Sequence, residues 1–218
     1  MKRILIIIFC LILIIIFFYN FFLTKIIHFN LEKITEKKVK IESINIDFIN
    51  QELIINNIEI LNDQKFEYEN IFFCDEIIVK FIFLNLFQQI IYFEKIIFKE
   101  PIIYVEIKKD NLIFEDNISV IEKKKKSYKP KIYPEKNTDR NVIFKKVQIL
   151  KPKANLIIDN LYKYENLNLS NMNLSNVGTS ETKSLHFKKI FKIILTDLYL
   201  KVPNFEVKKK LKEIYMSK

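Results

Sequence analysis

Apolar and polar residues alternate along most of this chain, but its first stretch does not. Ile4 to Leu23 reads ILIIIFCLILIIIFFYNFFL, carries no charge, and follows directly on Lys2 and Arg3. About 20 apolar residues at a rise of 1.5 Å cover the roughly 30 Å hydrocarbon core of a bilayer. Buried core helices are amphipathic, so a run this long predicts a membrane-spanning helix. It exceeds the apolar region of a cleaved signal peptide, and Tyr19 to Lys25 offers no small-residue cleavage site. Phe9 stands before Cys10, where a lipoprotein signal needs a small residue. The expectation is an uncleaved signal anchor with Lys2 and Arg3 in the cytoplasm. Lys25, Lys33, Lys37 and Lys38 on the far side oppose that bias. In a Gram-negative host, residues 31–218 would then lie in the periplasm.

Beyond a short polar helix, Leu31 to Lys38, the period is two. Ile44, Ile46 and Phe48 share one face, and Ser43, Asn45 and Asp47 the other, as in a half-buried strand. Val39 and Ile41 are out of phase with them, which predicts a bulge near Glu42. Asn50-Gln51 reads as a tight turn. The next strand aligns Ile54, Ile58 and Ile60, with Asn56 on the apolar face. Polar Asn62 to Asn70 reads as irregular. Glu76 to Leu84 aligns Ile77, Val79, Phe81 and Phe83. Ile90 to Lys99 and Ile102 to Lys108 are divided by Pro101. The latter sets Ile103, Val105 and Ile107 against Tyr104 and Glu106, and Asp110-Asn111 turns into Leu112 to Phe114. Strands of this length separated by turn signals predict an antiparallel meander.

Glu122 to Arg140, rich in Lys and holding Pro130 and Pro134, reads as a solvated linker; its sharper reading is a loop that binds head groups. Alternation then resumes through Val142, Phe144, Val147 and Ile149, next Ala154, Leu156 and Ile158, then Leu167, Leu169, Met172 and Leu174, up to Gly178. Ser184 is placed to cap a helix carrying Phe187, Ile190, Phe191, Ile194 and Leu198 on one face, with Lys188, Lys189 and Lys192 turned away. Pro203 ends it, and Glu206 to Met216 reads as a last helix. The expected organisation is an anchor over 1–30, a β region over 31–120, a linker over 121–140, and a second β segment with C-terminal helices over 141–218.

Composition narrows the chemistry. Among 218 residues Gly occurs once and Trp never, and the formal charge is +10. That charge has two readings: drift toward Lys in an AT-rich coding sequence or, beside an anchor, membrane lipids as partners and not nucleic acid. Cys10 and Cys74 are too far apart in role to pair, which leaves Cys74 as a buried thiol. His28 and His186 are isolated. No HExxH or CxxC is present, so neither a metal nor a cofactor is expected. A catalytic function is not expected either. There is no Gly-rich phosphate loop, no G-x-S-x-G elbow and no Cys–His couple, and Glu42, Asp47, Glu94 and Glu106 read as solvated strand residues.

The order of parts resembles the AsmA family of envelope proteins. The stretch VKIESINIDFINQELIINNIEILNDQKFEYEN is similar to the start of that family, although the Pro and Gly of its "NP-GF" phrase are absent around Leu61-Asn62 and Phe66. Where that family has an I-x-x-I-x-x-P-x-I stretch followed by Asn-Leu, this chain has the similar but differently spaced Ile96, Pro101, Ile103, Asn111 and Leu112. The second half, from VIFKKVQILKPKANLII through NMNLSNVG to an amphipathic helix, resembles the tail of short members. The resemblance spans nearly the whole chain and rests on order and spacing. It implies a mainly β protein with an N-terminal transmembrane helix and a C-terminal amphipathic helix. Its twisted antiparallel sheet would curve into an open half-pipe facing the periplasm. Large relatives, the TamB-like proteins among them, look like bridges along which lipids slide. On that reading the lipid-groove candidates are Ile44, Ile46, Phe48, Ile77, Val79, Phe81, Phe83, Ile103, Val105 and Ile107. Two functions follow: a module that binds or passes acyl chains in outer-membrane biogenesis, or a scaffold that recruits other envelope proteins through strand edges and the C-terminal helix.

Overall fold

The computed structural model describes residues 23–33, 35–110, 113–118, 141–178 and 185–215. Most of the expected anchor, the linker over 121–140, the Asn111 turn and the Ser184 cap lie outside them. Among the described residues no helix is long and apolar enough to cross a membrane.

Over the described residues the protein is mainly β, an open half-barrel with three helices. Helix α1 covers residues 23–33. Strands β1 (Val39–Asp47), β2 (Glu52–Leu61) and β3 (Asn70–Phe81) lead through a 3-10 turn (Phe83–Phe87) to β4 (Ile90–Lys99), β5 (Ile102–Asp110) and β6 (Ile113–Asp116). Then come β7 (Asn141–Leu150), β8 (Lys153–Ile158), β9 (Tyr162–Asn168), β10 (Met172–Gly178), β11 (Leu185–His186), α2 (Phe187–Lys201) and α3 (Phe205–Tyr215). All eleven strands join one sheet, so the two expected β regions are knitted together. That sheet is not the antiparallel meander expected, because β4 pairs with β7 and β5 with β8 in parallel. Parallel neighbours need a crossover of a dozen or more residues, which the chain between β6 and β7 is long enough to supply.

A crease runs across the sheet. Strands β4 and β5 are one strand broken at Glu100 (φ 50°) and Pro101, while β7 and β8 are one strand broken at Lys151 (φ 49°) and Pro152. The partners across the two ladders all lie 51 positions apart, from Ile90 with Asn141 to Ile107 with Ile158, so the breaks coincide. The Glu100 N–H donates to Leu150 O at 2.9 Å, the Lys153 N–H to Pro101 O at 2.8 Å, and Lys151 Nζ meets Glu100 Oε1 at 2.9 Å. In β2 the crease falls at Asn57 (φ 46°), whose side chain bonds to Glu42 of β1. Core positions there fall three apart instead of two: Ile41 and Ile44, Ile55 and Ile58, Cys74 and Ile77, Leu169 and Met172.

This accounts for the broken alternation at Glu42, but not by a bulge. Ile41 pairs with Ile58 and Ser43 with Asn56, so no residue is inserted. The phase change also corrects the reading of β2. Ile55, not Ile54, joins the core, and Asn56 turns away to donate to Ser43 Oγ at 2.9 Å. Strand β3 begins before Glu76 and stops at Phe81, which leaves Phe83 in the 3-10 turn. The β1–β2 turn is where expected, with the positive φ (53°) at Gln51.

The two faces differ. Outward positions form an aliphatic row, Ile54–Ile78–Ile97. It is flanked by cross-strand ion pairs: Lys80 to Glu52 at 3.5 Å, and Lys99 to Glu76. The inward face carries two clusters. One lies under α2 and α3 and joins Val105, Ile107, Leu156 and Ile158 to Ile194, Leu198, Val207 and Leu211. The other joins Ile44, Ile55, Cys74, Ile77 and Val79, with Leu23, Ile27 and Leu31 of α1 packed against it. The spacing of four along α1 puts those three on one stripe.

Candidate functional site

Where the two clusters meet, the inward face is left half-covered. Phe72, Ile96, Phe98 and Phe144 pack against both clusters, yet each stays partly exposed. Phe93 of β4 stacks on Phe144 of β7, with ring centroids 5.0 Å apart and an interplanar angle of 18°. Phe93, Ile96, Phe98 and Phe144 form an apolar strip on β4 and β7, with Phe72 of β3 beside it. Its chemistry suits an extended hydrocarbon: it offers dispersion contact over a row of rings and branched chains, with no inward charge among them.

The strip runs on toward one end of the half-barrel. Phe81 is the strand partner of Phe93. Phe81 meets Phe83 edge-on at 5.2 Å, and Phe83 stacks on Phe48 at 5.9 Å with an interplanar angle of 3°. Local bonds fix this end. Asp47 Oδ1 accepts from the Ile49 and Asn50 N–H groups at 2.9 Å each, and Oδ2 accepts from Asn50 Nδ2 at 2.6 Å. The backbone and side-chain donors of Asn50 hold the Asp47 carboxyl below its ordinary range. Gln51 accepts the Phe81 N–H on its carbonyl (3.0 Å) and the Phe83 N–H on Oε1 (3.2 Å).

The sequence-derived groove residues divide among three places. Ile44, Ile77 and Val79 lie in the cluster beside α1, and Ile46 of β1 is half-buried. Ile103, Val105 and Ile107 lie in the cluster that α2 and α3 cover. Phe48, Phe81 and Phe83 make the aromatic end. Phe93, Ile96, Phe98 and Phe144 were absent from that set. A signal for them is present: YFEKIIFKEP and IFKKVQILKP repeat at the 51-residue offset, with Phe93 matching Phe144 and Pro101 matching Pro152.

The outer surface of β5 corrects another expectation. Glu106 is not solvated but fully buried. Its Oε2 accepts the Glu67 and Tyr68 N–H groups at 2.7 and 3.1 Å, and Lys108 Nζ lies 3.0 Å from Oε1. This carboxylate pins the irregular 62–69 segment, with Phe66 buried, onto the back of the sheet. Beside it, Asn117 substitutes for a neighbouring strand: its Oδ1 accepts the Glu106 N–H at 2.9 Å, and its Nδ2 donates to Tyr104 O at 2.8 Å. These contacts are structural. Cys74 is equally enclosed, with its thiol against the carbonyls of Glu76 and Lys99, and burial pushes it up to about 11. Among the described residues no group of His, Cys, Asp and Glu is placed to hold a metal.

Comparison with protein-family models, curated proteins and solved structures finds no match for this chain.

Proposed function

We propose that this chain is an envelope protein, anchored in the inner membrane through Ile4–Leu23 and facing the periplasm. In this reading its half-barrel binds or passes lipid acyl chains in support of outer-membrane biogenesis. The observation that carries the reading is the half-covered strip Phe93–Ile96–Phe98–Phe144 on the inner face of an open, curled sheet, downstream of a bilayer-length apolar segment. The order of motifs that resembles the AsmA family supports it. Neither an enzyme nor a nucleic-acid partner is part of the proposal.

The test is lipid extraction and mass spectrometry of the full chain purified in a mild detergent. Phospholipid retained by the wild type and reduced in Phe144→Asp supports the reading; equal or absent lipid in both counts against it. A scaffold reading has its own observation. Among the described residues strand β1 pairs on one side only, and Leu200 and Phe205 are exposed on α2 and α3. Crosslinking in native membranes that yields protein adducts at β1 or α3, with no lipid on the strip, would favour the scaffold.

A further inference from the structure

The fixed aromatic end has a feature that acyl-chain binding does not use. Its outermost side chains point into solvent on two adjoining loops. Ile49 is 93% exposed, Leu84 78% and Phe48 56%, with Ile82 and Phe83 also exposed. Neither loop carries a charge: residues 48–51 read FINQ and residues 82–89 read IFLNLFQQ. Charges begin only below them, at Asp47, Glu52 and Lys80. A turn held by three bonds to Asp47, with an isoleucine at its apex, exposes apolar surface that the fold does not need. Apolar side chains interspersed with uncharged amides suit the boundary between acyl chains and head groups.

The chain outside the described residues says what covers this end. The bilayer-length segment Ile4–Leu23 runs directly into α1, and α1 packs on the cluster of Ile44, Ile77 and Val79, the half of the sheet that bears the tip. A bilayer held by that segment is tethered within a few nanometres of the tip, at an effective concentration that no freely diffusing partner matches.

We propose that Phe48, Ile49, Phe83 and Leu84 insert into the interfacial layer of the same bilayer. This second contact orients the half-barrel and sets the row Phe48–Phe83–Phe81–Phe93–Phe144 as an apolar path from lipid to strip. It rests on the membrane-anchored reading above.

The protein contains no Trp, so a single introduced Trp reports its own surroundings. The full chain is reconstituted into phosphatidylethanolamine–phosphatidylglycerol vesicles, with and without brominated acyl chains. Ile49→Trp and Leu84→Trp are compared with Leu161→Trp, which sits 76% exposed at the β8–β9 turn. Blue-shifted emission at both tip positions, with quenching by bromolipid roughly twofold or more above that of Leu161→Trp, is the expected result. If the chain floats with vesicles but both tip tryptophans emit as in water and escape quenching, the tip contact is overturned and the anchor stands. A blue shift without quenching means that a second copy or another protein covers the tip, which also overturns it. A chain that does not float with vesicles overturns tip and anchor together.

Discussion

Glu106 shows how much one side chain decides on the outer surface. Its buried carboxylate holds two backbone N–H groups and faces Lys108, so Glu106→Ala should leave the two N–H donors without that acceptor and Lys108 without its carboxylate. Hydrogen bonds to a charged group contribute about 1.5–3 kcal/mol each, and a loss of roughly 2–4 kcal/mol is expected. Chemical denaturation checks this, with Glu106→Gln, which keeps an acceptor oxygen, less affected. A variant as stable as wild type would remove the role assigned to the carboxylate. The sequence concealed it, because period-two alternation puts Glu106 on the polar face and does not reveal that the 62–69 segment folds over that face. Cys74 was legible as a buried thiol, and its pH behaviour follows. Its folded value, about 11, lies above the ordinary 9.0. The stability gained from keeping it neutral is therefore complete below pH 9 and is lost as pH rises through 11. The melting temperature of wild type should fall more steeply between pH 8 and 10.5 than that of Cys74→Ala.

At the scale of elements, the crease carries the most information. Asn57 occupies the left-handed region, where a β-branched side chain is strained by about 1–2 kcal/mol. Asn57→Val should destabilise by that amount, whereas Asn57→Gly should stay near wild type; thermal unfolding of the pair checks it. The crease was half legible. The phase break at Glu42 was plain, but its recurrence at Asn57, Glu100 and Lys151 required pairing partners to recognise. Helix α2 was legible as an amphipathic helix, but that its apolar face packs on the sheet through Ile194 and Leu198 was not. Leu198, 1% exposed, lies in the cluster with Val105 and Ile107, so Leu198→Ala should cost about 2–4 kcal/mol in denaturation.

At the scale of the whole molecule, the β-rich chain and its C-terminal helices were accessible from strand spacing, and a curved sheet was what the resemblance implied, but the parallel ladders were not accessible from either. Alternation states which side chains share a face and is silent on which strand lies alongside. That is why Ile103, Val105 and Ile107 were grouped with Ile44 and Ile77, although α2 and α3 cover the first set and α1 the second. It is also why the strip on β4 and β7 emerges only once β7 is laid beside β4. The central claim is that this strip holds acyl chains. Its most direct test is photolabelling of the full chain in native membranes with a diazirine fatty acid, followed by mapping of the adducts. Adducts on the β4 and β7 peptides around Phe93, Phe98 and Phe144, lost in Phe144→Asp, are the predicted result. Labelling confined to the Ile4–Leu23 segment, with none on β4 or β7, would contradict it.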